Sequence, residues 1–175
     1  MNYTLTNPKG IDTVIQKLQT YLFDNLNFGE LEVYGRVYKN YSKEKKLVPE
    51  VYVGKNEYRD IFINDNKNGS IFFIEDNKHT SNEGIKFKNT IKIVFMLNLK
   101  KIYADNLERA DMEAQIKAIE LVRKKSWFSF EKMEKGVKES LSEFYTENLN
   151  LYDTHPFHVF SISGEISYNV SCLTN

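Results

Sequence analysis

A chain of 175 residues in which Lys+Arg and Asp+Glu balance at 24 each has no global field to gather nucleic acid or an anionic membrane. This excludes a binder that relies on bulk charge. Hydrophobic residues at 41% and aromatics at 14% exclude a disordered chain, and the length fits one domain that needs no disulfide or metal to hold together.

In chain order, the breaker cluster Asn7-Pro8-Lys9-Gly10 is followed by Ile11, Ile15, Leu18, Leu22 and Leu26 at helical spacing. An amphipathic helix is predicted over residues 10–25, stopped by Asn27-Phe28-Gly29. From Glu30 the period becomes two. Leu31, Val33, Gly35 and Val37 form an apolar face, and Glu32, Tyr34, Arg36 and Tyr38 a wet, aromatic one. Residues 40–47 read as a mobile basic loop, and Leu47–Val53 as a short strand that Pro49 confines to an edge. Asp60–Ile63 and Ser70–Ile74 flank an Asn/Gly-rich stretch, which predicts a hairpin turning at Asn64–Gly69. Residues 75–89 read as a second mobile loop.

The stretch Asn89–Tyr103 is the organising element. Ile91, Ile93, Phe95, Leu97 and Leu99 share one face, and Val94 and Met96 make the other apolar too. Such a strand belongs inside a sheet, covered on both sides. Met112, Ile116, Ile119 and Val122 then predict a helix. Phe130, Met133, Val137, Leu141 and Phe144 predict a second, with Ser129 as its N-cap, the two forming a helical hairpin. Phe157–Cys172 alternates throughout and is expected to be the long antiparallel companion of the Asn89–Tyr103 strand. The fold class is α+β: one domain, residues 1–175, with a mostly antiparallel sheet, an N-terminal helix and a helical hairpin packed on it, and a long C-terminal strand closing it.

No residue cluster declares a chemistry. Asn64, Asn66, Asn68, Gly69, Ile71 and Glu75 match a calcium loop in spacing, but only Glu75 among the ligand positions is charged and the flanks are β-like. His155 and His158 lie three apart on an extended chain and should face opposite sides, and His79 sits alone. There is no nucleophile elbow and no phosphate loop. No catalytic residue, metal or cofactor is therefore expected. Asp60 and Glu75 with Lys78 give a weak nuclease-like triplet. The run Lys39, Lys43, Lys45, Lys46 reads as a solvated loop able to touch phosphates. Cys172, the one cysteine, reads as a small apolar residue on the terminal strand, and the sequons at Asn2, Asn40, Asn68 and Asn169 carry no meaning without a signal segment. The first residues show no secretion signal, and no apolar run approaches the roughly 20 residues of a membrane span. Tyr and Arg anchor interfaces, so Tyr34, Arg36 and Tyr38, with Asn64, Asn66 and Asn68 of the turn, are the candidate partner-binding residues.

An N-terminal helix, antiparallel strands with a projecting hairpin, a long apolar strand, a helix and a long alternating terminal strand resemble the tail-terminator and tail-completion proteins of tailed bacteriophages. The impression is carried by Ile11–Leu26, Ile91–Leu99, Met112–Val122 and Phe157–Val170. The resemblance implies a structural virion protein without catalysis, found in the tail or neck, or in the host cytoplasm during assembly. Its implied partners are copies of itself in a sixfold or twelvefold ring, adjacent connector or tail proteins, and DNA touched non-specifically in the channel, with no membrane. A metal-dependent nuclease and a monomeric protein-binding module are the other classes open to the sequence.

Overall fold

The longest pairing in the molecule joins β7 (Lys86–Asn98) to β9 (Phe157–Asn169), antiparallel from Lys86 opposite Asn169 to Asn98 opposite Phe157. The computed structural model describes residues 1–61, 64, 66–105 and 109–170, and for residues 82, 83, 148 and 150 the backbone alone. Around the β7–β9 pair the sheet runs β1 (Leu31–Arg36), β5 (Gly69–Glu75), β7, β9, β8 (Phe128–Lys135), with β6 (Thr80–Glu83) on the first residues of β7. Among the described strands of this sheet only the β1–β5 pair is parallel, and the isolated bridge of Asn2 to Val33 is parallel too. A second sheet, β2 (Tyr38–Tyr41), β3 (Leu47–Gly54) and β4 (Glu57–Asp60), forms a wing beside β1. The architecture is α+β and mostly antiparallel, and β7 lies in its interior as its two apolar faces require.

One face of the large sheet presents Ile71, Phe73, Ile93, Phe95 and Phe160 to α1 (Ile11–Asn25) and α3 (Asp111–Arg123). Phe95 stacks on Phe160 with centroids 4.6 Å apart. The opposite face, with Phe72, Val94, Met96 and Val159, is covered by Val51 and Ile61 of the wing region and by Val137, Leu141 and Phe144. Each of these side chains, once buried, contributes about 1.5–3 kcal/mol of transfer free energy.

The β1 edge is not free. Tyr3 N–H donates to Val33 O at 2.9 Å and Val33 N–H to Met1 O at 2.9 Å, laying the N-terminal residues along it. Gln19, buried in α1, ties them down by donating to Asn2 Oδ1 and Tyr3 O, each at 2.8 Å.

Several expectations need correction. The organising strand ends at Asn98, whose side chain caps the short helix α2 (Leu99–Ile102) by accepting from Lys101 N–H. Residues 75–89 are not one loop, because β6 folds back on β7. The basic loop narrows to the turn between β2 and β3, closed by Ser42 N–H to Lys46 O at 2.8 Å. Asn64–Gly69 does not turn a hairpin: β4 pairs with β3 in the wing, while β5 pairs with β1 and β7. Phe62, Ile63, Asp65 and Cys172 lie outside the described residues.

No helical hairpin forms, because residues 128–135 are a strand. A bulge between Phe130 and Lys132 inserts one residue, so Phe128, Phe130 and Met133 all reach the same core at spacings that mimic a helix. Val137, Leu141 and Phe144 serve the other face of the sheet, from α4 (Val137–Ser140) and the turns after it. A 3-10 helix, Glu147–Asp153, leads to β9. On α3 the expected face is reversed in part. Ala114, Gln115, Ala118, Leu121 and Val122 are buried, the alanines letting the helix lie close to the sheet. Met112 and Ile116 point outward, each 50% exposed.

Candidate interaction surface

The alternation that placed Tyr34, Arg36 and Tyr38 on one wet face is interrupted by the wing. Glu32 and Tyr34 are buried, Tyr34 to 2% exposure, because Tyr3 and Arg59 cover them. Tyr3 stacks on Tyr34 at 4.8 Å, and the Arg59 guanidinium sits 5.4 Å from the Tyr34 ring. Arg59 also donates to the Tyr34 hydroxyl, and to Glu32 Oε1 at 3.1 Å. Burial holds the Tyr34 phenol far above the ordinary tyrosine value, the Arg59 hydrogen bond opposing it. Tyr34 is thus a core residue, with its polar end satisfied internally.

Arg36 is spent inside the molecule as well. Its Nε donates to Asp12 Oδ1 at 2.8 Å and its Nη1 to Glu75, tying the first turn of α1 to the ends of β1 and β5. Tyr38 alone of the three faces solvent, at 52% exposure.

Asn68 is structural. Its side chain donates to Phe28 O at 2.8 Å, and its backbone bonds Glu30 O at 2.7 Å and Asn98 N–H at 2.8 Å, locking the entry to β5. Asn64 and Asn66 form an exposed Asx turn, Asn66 N–H donating to Asn64 Oδ1 at 3.0 Å. Glu75 is engaged by Arg36 and ends β5, a strand's length from Asn68 at its start, so the calcium-loop set does not converge; Asp60 of β4 belongs to the other sheet. Among the described residues no group of three or more His, Cys, Asp or Glu is placed to hold a metal ion.

His155 and His158 both border one hollow, rather than facing apart, with Asp111 and Asp153 beside them. His158 Nε2 faces the amide nitrogen of the buried Gln115 at 2.7 Å, and burial lowers its pKa below the usual histidine value. His79 Nδ1 meets the Tyr168 hydroxyl at 2.6 Å.

What the wing leaves open is its outer face. Register places Tyr38 opposite Glu50, Glu50 opposite Asp60, and Tyr52 opposite Tyr58. Tyr38 and Tyr58 meet edge-on at 5.1 Å, and Tyr52 and Tyr58 at 5.6 Å. Partial burial and the neighbouring Tyr38 hydroxyl push Tyr58 above the ordinary tyrosine value. Val51 and Pro49, on the alternate positions of β3, face the core, so this tyrosine cluster takes no part in it. Tyr52 and Tyr58 were not singled out from the sequence, although Val48, Glu50 and Tyr52 already alternate with Pro49, Val51 and Val53. At the wing's tip Lys46 is held by Glu44 at 2.9 Å and lies over the Tyr145 ring, while Lys39 is held by Glu143 at 2.5 Å; Lys43 and Lys45 are exposed.

No helix among the described residues is long and apolar enough to cross a membrane. Compared with known proteins, the chain matches no protein-family model and no curated protein.

Proposed function

We propose that this protein is a structural subunit of a tailed-bacteriophage virion that assembles with copies of itself into a ring, at the head–tail junction or within the tail, and catalyses no reaction. The observation that supports this reading is the wing: a three-stranded sheet whose inner face belongs to the core and whose outer face carries Tyr38, Tyr52 and Tyr58. Tyrosine is enriched at protein interfaces because it offers a rigid apolar ring and a hydrogen-bonding tip. The resemblance of the element order read from the sequence to that of tail-terminator and tail-completion proteins suggests the class of assembly. The ring's copy number is sixfold or twelvefold in this reading, its neighbours are other connector or tail proteins, and the exposed Lys43 and Lys45 are the residues offered to DNA in the channel. The site of action is the tail or neck of the virion.

Native mass spectrometry with negative-stain imaging of the purified chain tests this. Closed rings of one copy number are expected. A chain that stays monomeric, alone and mixed with purified tail tubes, overturns the reading.

A further inference from the structure

α3 carries an outward stripe that the described elements leave largely uncovered, although Lys135 Nζ of β8 reaches Met112 Sδ at 3.6 Å. Met112, Ile116 and the half-buried Ile119 follow one another at helical spacing, and Arg123 and Lys124, both exposed, end the helix. Met112 and Ile116 were expected in the core from their spacing, yet the small Ala114 and Ala118 take that place and leave the larger side chains outside. A helix face of this composition is unusual to leave in water.

The wing's outer face has the complementary character. Its aromatic cluster is bordered by Glu50 and Asp60, for which the described residues provide no cation within ion-pair distance. An apolar stripe ending in two cations thus has, elsewhere on the same molecule, an aromatic patch bordered by two carboxylates. Glu113 and Glu120 beside the stripe, the Arg123 guanidinium's place 4.8 Å over the Phe130 ring, and Arg36 beside Tyr38 soften the contrast without reversing it.

The two surfaces cannot meet within one chain. The wing lies at the β1 end of the large sheet, whereas α3 packs on β8 and β9. Four inter-strand spacings, about 19 Å, separate β1 from β8. Direct β8-to-β8 pairing of two copies is opposed by the bulge and by Glu131, Lys132, Glu134 and Lys135 on that edge strand.

We infer that the outer face of the wing docks on the α3 stripe of a second copy, Tyr38 and Tyr58 covering Met112 and Ile116 while Glu50 and Asp60 face Arg123 and Lys124. This inference rests on the ring reading and names its subunit contact. A contact between two different patches at opposite ends of a subunit is heterologous, so it propagates head to tail and closes only if the rotation between copies allows.

Two variants with substitutions only at exposed positions test it. One is Tyr38→Ala with Tyr58→Ala, the other Met112→Gln with Ile116→Gln, each checked for native circular dichroism. Each variant alone is expected to lose self-association, and an equal mixture to give a 1:1 dimer and nothing larger, since one intact joint remains. A photo-crosslinker at position 58 is expected to label the peptide spanning 112–124 of an isotopically distinct copy. Rings that form unchanged from both variants, or a crosslink to any other surface, overturn the docking and leave the ring reading standing. Open-ended chains that both variants abolish uphold the docking and overturn the ring. A wild-type chain that neither associates nor crosslinks, alone and mixed with purified tail tubes, overturns both.

Discussion

Arg36 Nε donates to Asp12 Oδ1 at 2.8 Å while its Nη1 donates to Glu75, so one guanidinium joins α1, β1 and β5. The three side chains are only about one-fifth exposed, so both carboxylates are left poorly solvated if the cation is removed. Arg36→Met is expected to lower stability by about 2 kcal/mol, read as the shift in urea midpoint. An unchanged midpoint would mean that the pair is a surface ornament.

Tyr34 and Tyr38 are separated by three residues and by the boundary between core and surface. Tyr34→Ala removes a ring stacked on Tyr3 and leaves Arg59 without its hydroxyl partner, at a cost of about 3 kcal/mol. Tyr38→Ala at its exposed position is expected to change stability by no more than about 0.5 kcal/mol. Equal losses in thermal unfolding of the two variants would refute this division.

Gly164 of β9 pairs with Phe130 of β8, beside the bulge. A Cβ there would lie 2.5 Å from Phe128 Cζ and 2.6 Å from the Ser129 carbonyl oxygen. The ring can swing aside, but the backbone oxygen cannot without moving the strand. Gly164→Ala is expected to cost about 1–3 kcal/mol and to raise hydrogen exchange along β8.

His158 makes stability fall on the acid side. In the unfolded chain it takes a proton below roughly pH 6.5. In the fold, burial first, then Lys135 and Arg109, keep it neutral to lower pH, with Asp111 and Asp153 opposing. Just below pH 6.5 the unfolded state therefore binds more protons, and stability is lost as pH drops through that window. His158→Gln keeps a polar partner for Gln115 but cannot titrate, so its urea midpoint should decline less between pH 7 and 5 than the wild type's. Parallel declines would sink the assignment.

Strands with uninterrupted period two were legible in the sequence. β7 and β9 read correctly as partners because alternation survives any tertiary setting in which a sheet has fixed faces. α1 was equally legible, its stripe being wide and bounded by breakers. β8 was not, because a single bulge converts a spacing of two into three and copies the helical period. The outward stripe of α3 was hidden for another reason: helical spacing says which residues share a face, not which face meets the sheet. That choice fell to Ala114 and Ala118, which permit the closer approach.

The candidate surface divides along the same line. The sequence by itself determined that this is an α+β chain with a doubly apolar central strand, balanced charge and many tyrosines. Which tyrosines remain available was decided only in three dimensions. The wing folds back so that Arg59 and Tyr3 close over Tyr34, while Tyr58 meets both Tyr38 and Tyr52 on the far side. These contacts join residues distant in sequence through strand register, and local alternation carries no information about register between strands.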